Sequence, residues 1–94
     1  MPKYLITVDH ENEMTACMKT IKVFLETGSH FVSNADWGCK DDVHTAWLSV
    51  DAKNKDEARM ILPPAYRQNA SITTLAKFTL DEVNGIIKNH VKKG

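Results

Sequence analysis

A chain of 94 residues is one domain over positions 1–94, and at that size only about 60–65% of the unfolded surface is buried, so a partner adds much. Twelve basic and twelve acidic side chains cancel and are mixed along the chain, which leaves no electrostatic footprint for nucleic acid or an anionic membrane. A hydrophobic fraction of 43% is that of a globular chain rather than a disordered one, and the short apolar runs exclude a membrane span.

The first element is a strand over 3–9, KYLITVD, where Tyr4, Ile6 and Val8 alternate with Leu5, Thr7 and Asp9. The polar run 9–12 turns the chain. A helix follows over 13–27, with Met14, Cys17, Met18, Ile21, Phe24 and Leu25 on one stripe and Gly28 as its C′ residue. A second strand is predicted over 31–39 and a third over 44–51, joined by Lys40-Asp41-Asp42-Val43 as a hairpin turn. Asn54 and Glu57 resemble a capping box for a second helix, whose inward residues are Ala58, Ile61 and Leu62. Pro63-Pro64 ends it. Residues 71–78 read as a fourth strand. The last helix starts at Thr79 with Glu82 as a capping box and Phe78 against Val83 as a staple. Its stripe is Leu80, Val83, Ile86, Ile87 and Val91, and Lys88, Lys92 and Lys93 suit the helix dipole.

This order is β-α-β-β-α-β-α, the split βαβ pattern: an α+β, ferredoxin-like βαββαβ sandwich with an antiparallel four-stranded sheet and an extra C-terminal helix. Strand three then lies between strands one and two. If Ile6, Val8, Leu48 and Val50 face the helices, the opposite face carries Leu5, Thr7, Asp9, Thr45, Trp47, Ser49, Thr73, Leu75 and Lys77. That mixture is too apolar for a washed surface and too polar for a dry core. A homodimer packing two such faces together explains it, whereas a monomer leaves Trp47 in water.

The layout resembles the dimeric α/β-barrel superfamily. The carriers of the likeness are the FLETGSHF segment from Phe24 to Phe31, Trp37 near the end of strand two, and the LPPAY run from Leu62 to Tyr66. Among its members the chain is most similar to small uncharacterised ones. The superfamily also holds muconolactone isomerases and cofactor-free monooxygenases, so the resemblance implies a ligand cavity beside the sheet but no single chemistry.

Strand one ends at Asp9-His10, strand two at Trp37-Gly38-Cys39, and strand three begins at His44. In the split βαβ topology these ends coincide. By parity His10 follows Ile6 and Val8, and His44 precedes Ala46 and Leu48, so the two imidazoles approach each other with Cys39 near. That trio has zinc-ligand chemistry, yet nothing local fixes its spacing, and the sequence assigns no metal and no cofactor. Cys17 and Cys39 sit in no metal-type spacing. Without a secretory signal they are expected as two free thiols in a cytoplasmic chain.

For binding, Trp37 and Trp47 are candidates to stack on a planar, largely apolar small molecule, with Asn34, Asp36, His44 and Tyr66 supplying polar contacts. For catalysis, His44, His10 and Asp36 are the acid–base candidates, and Cys39 with His44 is a nucleophile–base pair. Each also reads as an ordinary strand-end or core residue. The expectation is a small-molecule-binding protein. A cofactor-free oxygenase or isomerase is the enzymatic alternative, and an interaction module without a ligand is the third.

Overall fold

The protein is described as a computed structural model covering residues 1–11, 13–27 and 29–93, without the side chains of residues 90–93. Asn12 of the predicted turn, Gly28 as helix C′ residue and the side chains of Val91, Lys92 and Lys93 lie outside the described residues.

The elements are β1 (Lys3–Asp9), α1 (Met14–Glu26), α2 (His30–Ser33), β2 (Asp36–Trp37), β3 (Thr45–Asp51), α3 (Lys55–Met60), β4 (Ala70–Leu75) and α4 (Leu80–Lys93). Single 3-10 turns occupy Cys39–Asp41 and Pro64–Tyr66. The four strands form one sheet in the order β2-β3-β1-β4, antiparallel at every pairing. Order and directions agree with the split βαβ arrangement.

Register separates the two faces. Ile6 pairs with Leu48 and Ile72, and Val8 with Ala46 and Ala70. These side chains point to the helices and build the core with Tyr4, Val50, Phe24, Val32, Ala58 and Leu62. The other face carries Leu5 beside Ser49 and Thr73, and Thr7 beside Trp47 and Ser71. No helix of the described residues that contributes to the core covers that face.

The predicted second strand is corrected. Residues 30–33 are a helical turn, and only Asp36 and Trp37 pair with β3. Phe31, Val32 and Ala35 all reach the core, and their spacing of three and four suits a helical turn rather than alternation. The Asn34 amide then donates to the His30 carbonyl at 2.7 Å, closing the turn. The β2–β3 connection is also longer than the predicted turn 40–43, running over 38–44: Gly38 O accepts from Asp41 N at 3.0 Å and Val43 N at 2.9 Å, and Asp42 takes the left-handed conformation at φ 58°. The fourth strand stops at Leu75, three residues before its predicted end.

On α1 the inward line is Cys17, Thr20 and Phe24, while Met14, Met18 and Leu25 of the predicted stripe are exposed. Thr20 satisfies its hydroxyl by donating to Ala16 O at 3.0 Å and accepting from Tyr66 Oη at 3.4 Å. α3 begins as read, with Asn54 Oδ1 accepting from Glu57 N at 2.8 Å. Within it Arg59 donates to Ala70 O at 2.8 Å and so ties α3 to β4, while Arg67 donates to Leu62 O at 2.9 Å and Met60 O at 3.0 Å and closes the turn back onto the end of α3.

The Thr79–Glu82 capping box forms, with Glu82 N donating to Thr79 Oγ1 at 3.2 Å. The helix it opens is different in kind from the others. Every described side chain of α4, from Leu80 to Asn89, is exposed. None of the described helices is long and apolar enough to cross a membrane.

Candidate metal centre

Four chain segments deliver one side chain each to the end of the sheet where β1 finishes. β1 runs out at Asp9, and the backbone of His10 donates to His44 O at 3.0 Å, extending the β1–β3 ladder by one rung. Parity turns both imidazoles toward the helix side, with ring centroids 5.8 Å apart. The β2–β3 turn brings Cys39 to the same place. α1 runs back antiparallel to β1, so its first inward residue, Cys17, lies over the strand's last turn.

His10 Nε2 stands 2.9 Å from Cys17 Sγ and 3.3 Å from Cys39 Sγ. One donor atom from each of His10, Cys17, Cys39 and His44 lies within 4.8 Å of all the others. The two cysteines are joined as a disulfide, with Cα atoms 7.0 Å apart and 22 residues of separation; no described cysteine is free. This corrects the expectation of two free thiols. Cys17 is fully buried and Cys39 nearly so.

The histidines are prepared on their outer sides. His44 Nε2 donates to Asp42 Oδ1 at 3.1 Å, which leaves Nδ1 as the lone-pair nitrogen of the neutral ring. That Nδ1 is buried and has no partner. A carboxylate behind an imidazole is how metal-ligating histidines are oriented. Burial lowers the His10 pKa, and the charge of His44 adds to it; the neutral ring is the ligating form. His10 Nδ1 is also buried without a partner.

Gly38 makes the turn that carries Cys39. A Cβ there would stand 2.6 Å from Val43 O and 3.0 Å from Trp47 Cζ3, so only glycine lets the backbone approach this closely.

Two nitrogens and two sulfurs form the donor set that Zn2+ takes in tetrahedral sites. With Zn–S near 2.3 Å, tetrahedral geometry puts two ligating sulfurs about 3.8 Å apart. The Cys17 and Cys39 sulfurs therefore need to part by under about 2 Å relative to a disulfide bond. Their Cα separation already lies just beyond the usual disulfide range of about 4.4–6.8 Å.

The other sequence candidates divide between the two sheet faces. Trp37 pairs with Ala46 and Asp36 with Trp47, so Trp37 faces the helices and Trp47 the opposite side. The two indoles cannot line one cavity within a single chain. Trp37 packs edge-on against Phe24 at 5.0 Å and His10 at 5.6 Å, walling the His–Cys group on its apolar side. Tyr66 packs on Phe24 at 5.4 Å. Asn34 is spent on the α2 turn, and Asp36 is exposed on Trp47's face, away from His10 and His44. The three acid–base candidates thus do not converge.

Sequence reasoning found His10, Cys39 and His44 but not Cys17. Its signal was present: the short connection from Asp9 to α1 obliges the helix's first inward position to sit beside the end of β1. No family model, no curated protein and no solved structure matches the chain.

Proposed function

We propose that this chain is a zinc-binding protein whose His10, Cys17, Cys39 and His44 hold the ion as a Cys2His2 centre. The observation that carries the reading is the gathering of four ligand atoms, from four separate segments, within 4.8 Å of one another. Four protein donors complete a tetrahedral shell and leave no open position for a substrate, which is the mark of a structural site. Such a staple suits a domain too small to stand on its core alone. This reading favours a structural role over the oxygenase and isomerase alternatives.

The test is metal analysis of the chain purified under reducing conditions with zinc in the medium. About one zinc per chain is expected, and Co2+ in its place should give the visible ligand-field bands of a tetrahedral thiolate site. His44→Ala and Cys17→Ala should lose the ion. A reduced, folded chain that carries no zinc sinks the reading.

A homodimer of the dimeric α/β-barrel kind is the proposed assembly. It is supported by the sheet face left bare by α1, α2 and α3, where Leu5 and Trp47 are half-buried and Leu75 exposed. Any small molecule bound beside Trp37 alone would occupy the groove of about 380 Å3 that Trp37 shares with Met18, Ile21 and Ala35. A cytoplasmic setting is the compartment in which the two thiols stay reduced and available to zinc.

A further inference from the structure

We infer that the centre is a redox-gated zinc store: oxidation of Cys17 and Cys39 to their disulfide expels the ion, and reduction restores the site. The inference rests on the zinc reading and adds to it. Its basis is that the two sulfurs of the donor set are also the two sulfurs the structure joins to each other. A thiolate electron pair cannot serve a metal and an S–S bond at once, so the two states exclude one another. The sulfurs differ by under about 2 Å between the two states, so passing from one to the other needs only a small movement of the segments that carry them. The histidines remain in place either way, held by the His10–His44 ladder bond and by Asp42, but two imidazoles alone make a weak zinc site.

The oxidant is a low-molecular-weight disulfide. One cysteine thiolate attacks its sulfur, forming a mixed disulfide and releasing one thiolate of the oxidant. The second cysteine thiolate attacks the mixed disulfide at the protein sulfur and releases the other. The two protein thiolates lose two electrons, the oxidant gains two and takes up two protons, and Zn2+ leaves with its charge unchanged. The geometry orders the two attacks. Cys39 lines the groove beside Met18, Trp37 and Lys40 and keeps 6% exposure, whereas Cys17 has none. Cys39 therefore meets the oxidant first and Cys17 resolves the adduct.

The experiment uses the reduced full chain, shown beforehand to carry zinc, treated with oxidised glutathione. A chromogenic chelator reads released zinc, and mass spectrometry of alkylated peptides reads the cysteines. Zinc release and the Cys17–Cys39 disulfide should rise together in about equal amounts, and dithiothreitol with added zinc should reverse both. Early quenching should find glutathione on Cys39 and not on Cys17. Cys17→Ser should trap that adduct, and Cys39→Ser should react at least about tenfold more slowly; circular dichroism establishes that each variant is folded. Should either variant not fold, early quenching of the unmodified chain decides the order of attack. A chain holding both the disulfide and zinc, or losing zinc with both thiols intact, overturns the gate while leaving the zinc site standing. A chain with no zinc before oxidant is added overturns the site itself and the gate with it. Glutathione found first on Cys17 overturns the order of attack.

Discussion

His44 is held from outside by a residue that is itself in an uncommon conformation. Asp42 sits at φ 58°, a region that Asp and Asn tolerate better than other side chains, and its carboxylate reaches His44 Nε2 at 3.1 Å. Asp42→Asn preserves the turn and removes the charge behind the imidazole. Zinc affinity should fall by about tenfold, at the low end of what loss of such a group costs because Asp42 is solvated, while the denaturation midpoint of the metal-free chain stays put. Competition with a zinc dye measures the first and urea unfolding the second; unchanged affinity would show that Asp42 does not orient His44. Gly38→Ala acts differently. The added methyl meets a backbone carbonyl at 2.6 Å, so the turn carrying Cys39 must shift. A loss of about 1–3 kcal/mol is expected, together with weaker zinc binding, and a variant with wild-type values in both assays would show the turn to be pliant.

At the scale of elements, capping and covering are separate matters. The Asn54 cap of α3 serves a helix that buries Ala58, so Asn54→Ala should cost about 1 kcal/mol in urea unfolding. α4 has a complete capping box yet no described side chain out of water. Isolated helices of its 14 residues are marginal. A chain ending at Lys77 should therefore unfold within about 1 kcal/mol of the full chain under dilute conditions. A larger drop would show that α4 packs against the domain, or against a second copy, in solution. The sequence stated where α4 starts and which of its residues are apolar, but not what they touch. Periodicity describes a helix's own surface and says nothing about whether a partner lies against it. The second strand was misread for a related reason: Phe31, Val32 and Ala35 are all apolar enough for either element, and the choice fell to the core they had to reach.

At the scale of the molecule, the radius of gyration of 17.1 Å exceeds the about 12 Å of a compact domain of this length, and the longest extent is 54 Å. The proposed pairing of two bare sheet faces predicts sedimentation at about twice the 10.6 kDa of one chain. Trp47→Glu should return it to the monomer, since Trp47 lies on the bare face. A wild-type monomer at micromolar concentration would remove the pairing. On the proposed zinc site, the metal couples to folding by mass action: at free zinc about 1,000 times its dissociation constant, the reduced chain should gain about 4 kcal/mol, and a chelator should remove that increment from the urea midpoint.

By itself the sequence determined the strand order and the β1 and β3 faces, because alternation and the position of turns follow from local sterics and hydrophobic burial. It also determined that His10 and His44 approach each other, because parity along a strand carries past its end. Only the tertiary structure decided that Cys17 joins them, that Trp37 and Trp47 part company, and that residues 30–33 coil rather than extend. Those facts concern how one element lies on another, and such packing is set by the whole core at once rather than by any stretch of chain.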